Sequence, residues 1–389
     1  MPTIEQVYSL EPEKIRQFAR AEVLKILAIF RGVMEGVTTT TNFNLWFEWF
    51  YPKYLNGVVE GTLNAFHEDD EVVQSVIRLV SEVVYNRNNR MRFDTWNING
   101  LIAFKEATKY VVKLLQIWDS MRGKVVDKSR EYQSKWKFIK LFCELFKNVI
   151  TGGYINFAIC EYYQDEIFTQ LTRSILLMLA SVQYSDLKPY AKLHPLVFST
   201  LQSFFANHLE LLFTKIEPVV IYSLLRLVNA AVSDHGVGYE TASDCNSIVN
   251  MTCEYVHEKL KKPATQKQLF LVQQIQRFCQ QHGAIFGEFL QGQVTAVGFR
   301  ESKSLWIYQK SFHASLVMTA SLQQSQMSQI IMEVVNSNEL DDSRCERFFK
   351  AAHELLEGCP LSSLDQKSRD GFSPKFNDFK TFIFEFVNS

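Results

Sequence analysis

The sequence predicts an all-α fold, a right-handed superhelical solenoid of stacked helix pairs. Apolar residues recur at spacings of three, four and seven along about fourteen segments, and nowhere do they alternate at period two for more than a few residues. Turn formers are scarce: 16 Gly and 9 Pro in 389 residues, against 47% hydrophobic. That is too apolar for a disordered chain and too poor in punctuation for a sandwich or barrel. Finally, neighbouring helices carry apolar stripes too broad for one partner to cover, so each pair needs further pairs beside it.

The clearest unit runs from Glu68 to Trp118. Its first helix, 71–85, sets Val72, Val73, Val76, Ile77, Val80, Val83 and Val84 on one face, with Gln74, Arg78, Ser81 and Glu82 turned away. The turn Asn86-Arg-Asn-Asn-Arg90 comes next, rich in residues that tolerate the left-handed conformation. A second helix spans about Leu101–Trp118. Before this unit, a helix over Glu11–Glu35 is expected to bury Ile15, Phe18, Ala19, Val23, Leu24, Ile26, Leu27 and Phe30, and Val37–Asn42 ends it. The next begins at Phe43 and reaches Phe66, with a kink or restart expected at Pro52.

Beyond Trp118 a charged connector is expected over 119–134. Helical patterning returns at 136–150, breaks at Thr151-Gly-Gly-Tyr154, and resumes over 156–182. Further helices are expected at 196–212, at 219–232 behind Glu217-Pro218, and from Tyr239 to Lys261. Residues 262–389 carry a less regular pattern: 265–282, 284–297, 304–335, 343–357 and 375–387, the last with five Phe. The chain therefore reads as one array over 1–389, and its length matches roughly eight or nine repeats of the HEAT type.

Charge and cysteines narrow the function classes. Forty-one basic and 42 acidic residues give a net charge of −1, so no global field selects nucleic acid or membrane. Seven cysteines are scattered and form no CxxC, which reads as buried, reduced thiols. The N-terminus lacks a secretory pattern, and the longest apolar run, 174–182, is too short to span a bilayer. A soluble protein is expected, without membrane insertion or specific nucleic-acid binding.

Candidate sites are few. Arg87, Arg90 and Arg92 in the turn supply forked donors for carboxylate or phosphate, although helix capping explains the same residue types. Arg122, Lys124, Lys128, Arg130, Lys135, Lys137 and Lys140 form a basic stretch, diluted by Asp127 and Glu131, that reads first as a solvated face. His67-Glu-Asp-Asp70 has metal-ligand types, but the residues are consecutive, and Asp69 or Asp70 reads better as a helix cap. His353-Glu354 lacks a second His. The aromatic cluster Phe43, Trp46, Phe47, Trp49, Phe50, Tyr51 reads as buried between repeats. No phosphate loop or nucleophile elbow occurs, so neither an enzyme nor a cofactor is expected.

Several segments in one order carry a resemblance: FEWFYPKYL (47–55), VVYNRNNRMRFD (83–94), AFKEATK (103–109), TGGYINFAI (151–159), YSDLKPYAKL (184–193) and LFTKIEPVVIYSLL (212–225). Together they resemble the C-terminal part of the exportin-7 (Ran-binding protein 16) family of the importin-β superfamily. The likeness is specific from about Ala21 to Lys261 and only generally helical beyond. It implies a HEAT superhelix and a nuclear transport receptor carrying protein cargo under Ran-GTP control, in contact with nucleoporins and shuttling between nucleus and cytoplasm. Members of that family are much longer, with their principal Ran surface in N-terminal repeats absent here. The resemblance therefore implies a fragment, truncated gene model or short form that binds Ran-GTP weakly. A static helical scaffold in a cytosolic complex is the competing expectation.

Overall fold

The structure, a computed structural model, describes residues 19–92, 97–122, 131–234, 236–262, 265–266, 268–299, 306–322, 346–348, 350–351, 354–355 and 363–388. Among these every regular element is helical, and two compact units form, one ending at Leu179 and one beginning at Ala180.

In the first unit α1 (Arg20–Gly36) leads to α2 (Thr40–Phe50) and α3 (Asn56–Phe66), then α4 (Asp70–Val84), α5 (Asn99–Arg122), α6 (Lys137–Thr151), α7 (Phe157–Tyr162) and α8 (Ile167–Ala180). Helices α1, α4 and α6 lie side by side in that order, while α5 packs across α4 and against α2. The second unit contains α9 (Tyr184–Leu187), α10 (His194–Lys215), α11 (Pro218–Ser233), α12 (Tyr239–Lys261), α13 (Leu269–His282), α14 (Ile285–Phe299), α15 (Trp306–Leu322) and α16 (Gln366–Asn388). There α10, α12 and α15 form one row and α11, α14 and α16 a second row against it. Within each unit, helices laid side by side with partners packed across them form the HEAT-type arrangement that broad apolar stripes demand.

Local chemistry sets the boundaries. Thr39 caps α2 by accepting from Asn42 N at 3.3 Å, and Asp69 caps α4 by accepting from Glu71 N and Val72 N at 3.1 Å. Pro218 opens α11 in its first turn, where no donor is needed. At Pro52 the expected kink takes another form: a π turn, Tyr51–Leu55, carries the helix from α2 into α3 without a break. The wider turn absorbs the missing proline donor. The single helix expected over 156–182 is two, because Gln164 adopts φ +55° and Asp165 N closes back on Cys160 O at 2.7 Å. The last helix begins at Gln366 rather than 375, with Pro374 inside it, because Asp365 accepts from Ser368 N at 2.7 Å and starts the helix early.

The expected connector is also shortened. Its described ends are helical, since α5 continues to Arg122 and a second π turn spans Tyr132–Trp136 ahead of α6. Residues 11–18, 123–130, 323–335 and most of 343–357, on which parts of the predicted helices and connector fall, lie outside the described residues.

Burial of α4 differs from the one-sided stripe. Val72, Val73, Val76, Ile77, Val80, Val83 and Val84 are buried as predicted, but Leu79 and Gln74 are buried as well. With α1, α5 and α6 all against it, α4 has little free surface, and Gln74 is satisfied by donating to Gln133 O at 2.6 Å. In the aromatic cluster Phe43, Phe47 and Phe50 are buried, whereas Trp49 is 52% exposed, which corrects the expectation of burial on both sides. Among the described cysteines Cys143, Cys160, Cys245 and Cys253 are buried thiols and Cys279 is half-buried, none in a disulfide.

Candidate partner-binding site

The turn 86–92 sits where α1, α4, α5 and α6 meet, and its residues divide into structural and exposed ones. Asn88 and Asn89 take the left-handed conformation at φ 53° and 54°, reversing the chain directly after α4. That reversal turns Arg90 inward. Arg90 is fully buried and lies over the Phe43 ring at 5.7 Å. Its guanidinium donates to Met34 O, to Val37 O at 2.8 Å and to Glu82 O at 2.6 Å, and lies 3.4 Å from the Glu82 carboxylate.

One side chain thus holds the free carbonyl ends of α1 and α4 together, at the ends where helix dipoles favour a cation. Burial pulls the Arg90 pKa down and Glu82 opposes it. Arg90 has no surface to give a partner, so it is corrected from candidate binding residue to internal clamp. The capping explanation of the sequence accounts for it. That two of its acceptors lie more than fifty residues away is invisible in the local pattern.

Two separated motifs of the sequence come together here. Asn86 accepts from Met91 N at 2.7 Å and donates to Met91 O at 3.0 Å and to Gly152 O at 2.7 Å. Its carboxamide therefore joins the Asn86–Arg92 turn to the Thr151-Gly-Gly-Tyr154 turn. Gly152 is required by close approach: a Cβ there would lie 2.4 Å from Tyr154 Cε1 and 2.8 Å from Asn148 O. Gly153 is required by its φ of +68°. The Tyr154 ring is buried, its phenol pushed well above the ordinary range by burial, with Arg90 partly opposing. None of these residues is identifiable as a contact from the sequence.

Arg87 and Arg92 remain at the surface. Arg87 is half-buried, paired with Glu82 at 3.2 Å, and its guanidinium lies 5.1 Å from the Tyr85 ring centroid. Arg92 is exposed. It lines a cleft of about 530 Å³ with Thr38, Thr39, Thr41, Asn88, Asn89 and Asn97. The cleft offers hydroxyl and carboxamide groups around one guanidinium, chemistry suited to polar or acidic protein surface. Lys124, Lys128 and Arg130 lie outside the described residues.

At the other end of α4, Asp69 of the His67–Asp70 run pairs with Arg20 at 2.5 Å as well as capping the helix. Burial would raise its carboxyl, but the hydrogen bonds from Arg20 and from the α4 backbone hold it below the usual range. Among the described residues no group of three His, Cys, Asp or Glu is arranged to hold a metal, and no helix is long and apolar enough to cross a membrane.

No family model matches the chain, and no solved structure matches it. Curated proteins do. Ran-binding protein 17 of Mus musculus is 23% identical over 365 residues, covering 92% of this chain and 32% of that protein. Exportin-7-B of Xenopus laevis is 23% identical over 372 residues, covering 94% and 33% respectively. Exportin-7 of Dictyostelium discoideum is 23% identical over 372 residues, covering 95% and 35%. The chain thus spans about a third of the length of these relatives. Coverage of this order also extends the likeness past Lys261, where the motifs thin out. Over nearly its whole length the chain is similar to exportin-7 and Ran-binding protein 17, and over 62% of it to Ran-binding protein 16 of Drosophila melanogaster, in keeping with a C-terminal portion of the exportin-7 type.

Proposed function

We propose that this chain acts in nuclear transport, as part of a receptor that carries protein cargo out of the nucleus under control of Ran-GTP. The observation that carries the reading is similarity along 92–95% of the chain to proteins named exportin-7 and Ran-binding protein 17. The paired-helix architecture supports it, because stacked helices offer broad polar surface to protein ligands and little that resembles an active site. In this reading the chain is a binding protein, not an enzyme, that meets cargo and nucleoporins and shuttles between nucleus and cytoplasm. Arg92 with its cleft, Arg87, and the basic residues Lys124, Lys128 and Arg130 are the proposed contacts.

Ran contacts on a solenoid are spread over many repeats, and this chain matches a third of its relatives. Separated patches that engage one ligand together lose affinity when only some are present. The expected result of titrating the purified chain calorimetrically with Ran-GTP and Ran-GDP is binding weaker than about 1 μM that prefers the GTP form. Arg92→Ala is expected to weaken it further at low salt. Equal binding of both nucleotide forms would favour a static scaffold and reject the transport reading.

A further inference from the structure

The row α1, α4, α6 carries a cationic position with no acid of its own. Gln74 of α4 is bonded to Gln133 in the π turn that leads into α6, and Ser81 of α4 receives Asn148 of α6 at 3.2 Å. Both sequence numbers rise together, so the two helices run parallel. One helical turn beyond the Gln74–Gln133 bond stand Arg78 and Lys137: burial and then the nearby Arg78 draw the Lys137 pKa down, and Lys137 donates to Gln133 Oε1 at 2.9 Å. On the other side of α4, Arg20 meets Asp69 and Glu71 at one end and Met34 meets Arg90 at the other. Helix α1 is therefore parallel as well, and brings Arg31 near enough to Arg78 for the two cations to repel. Lys140 comes one turn later on α6.

The charges around this rung are unevenly compensated. Arg31 pairs with Glu35 at 3.1 Å and Lys140 with Glu144 at 3.5 Å, each one turn further along its own helix. The acid one turn beyond Arg78 is Glu82, whose carboxylate is held by Arg87 and Arg90. Its neighbour one turn back is Gln74, already bonded to the Gln133 carbonyl. Arg78 is half-buried and, among the described residues, makes no hydrogen bond or ion pair. Its pKa is drawn down by burial and by Arg31, with Glu144 and Glu71 only partly opposing. A partly desolvated guanidinium with its donors uncommitted is the kind of group on which interface affinity concentrates.

We propose that the Arg31–Arg78–Lys137–Lys140 rung is a docking surface for an acidic segment of a protein partner, with a carboxylate of that partner seated on Arg78. A carboxylate there gains a forked pair and relieves the repulsion among neighbouring cations. This site is separate from the Arg92 cleft and names a partner chemistry for the binding role proposed above. It rests on that role only in taking the partner to be a protein.

The test uses a fluorescent decaglutamate peptide titrated into the full 389-residue chain at low and at physiological salt. The expected result is salt-sensitive binding that falls about tenfold in Arg78→Gln and is kept in Lys192→Gln, an exposed lysine of the second unit. Arg78→Lys, which keeps the charge and loses the fork, is expected to fall between. Each variant's melting temperature is compared with wild type to establish that it is folded. Equal loss in Arg78→Gln and Lys192→Gln, or no binding beyond that of a decaglutamine control, overturns the proposal. Stronger binding of a single-stranded oligouridine than of decaglutamate overturns it in favour of nucleic acid. Because Ran-GTP is absent from these titrations, their failure and a failure of the transport reading are told apart.

Discussion

Replacing Arg90 with Met keeps most of its volume and removes its charge and donors. Three main-chain carbonyls, Met34, Val37 and Glu82, then lose a charged donor in a site without solvent access. Hydrogen bonds to charged groups contribute about 1.5–3 kcal/mol each, but burying the guanidinium itself costs several kcal/mol. The balance is a loss of about 3–5 kcal/mol, the range for removing one partner of a buried ionic network. A domain of roughly 150–250 residues shifts by about 2–4 °C per kcal/mol, so the melting temperature is expected to fall by about 6–20 °C. Arg90→Lys recovers less than half of this, because one ammonium cannot span the ends of two helices. Thermal unfolding followed by far-ultraviolet circular dichroism measures both variants. If Arg90→Met melts within about 1 °C of wild type, the clamp is not holding α1 to α4 and the reasoning fails.

Ile77→Asp places an unpaired carboxylate at a fully buried position of α4 and is expected to cost at least about 3 kcal/mol by urea titration, whereas an unchanged midpoint would contradict the burial of that face. Gly152→Ala and Gly153→Ala separate two roles of glycine: the first meets Tyr154 and the Asn148 carbonyl and is expected to lose several times more than the second, whose added methyl finds open space and costs about 1 kcal/mol for its left-handed φ. Similar losses in the two would refute the close-approach argument. Burial pushes His208 and His313 down to about 4, below the ordinary value near 6.5 that each regains when unfolded. A depressed folded pKa means that the unfolded chain binds more protons, so this stabilisation is complete above about pH 6.5 and is lost as pH falls toward 4. Urea midpoints are expected to drop between pH 7 and pH 5, with a shallower slope in His208→Phe; a flat profile in the wild type would refute it.

What is legible in the sequence and what is hidden there divide along one physical line. Caps, left-handed asparagines and a proline at a helix start act over a few residues, so Asp69, Asn88, Asn89 and Pro218 are legible from neighbours alone. The stripe of α4 is legible because apolar side chains must be buried somewhere. Gln74 is misjudged from the sequence, and Arg90 is legible there as a helix-end cation but not as a buried clamp, because their partners, Gln133 and Met34, lie 59 and 56 residues away, and only packing decides which polar residue is drawn inside. The same holds for Arg78, whose lack of an acid depends on Glu82 being held by Arg87 and Arg90. Polar residues in a helix array are assigned by the neighbouring helix, and their own periodicity gives only half of the answer.

The two π turns, Tyr51–Leu55 and Tyr132–Trp136, also set the phase of the helices after them. Each holds one residue more than a regular turn, and one residue is about 100° of rotation around a helix axis. Deleting a single residue such as Lys53 would let α2 run smoothly into α3 while swinging Val58, Val59 and Leu63 off the core. The same deletion before α6 would rotate the buried Phe138, Phe142 and Phe146 out of their core positions and carry Lys137 and Lys140 with them. At these two places the angular setting of a helix is stored in the length of a five-residue turn.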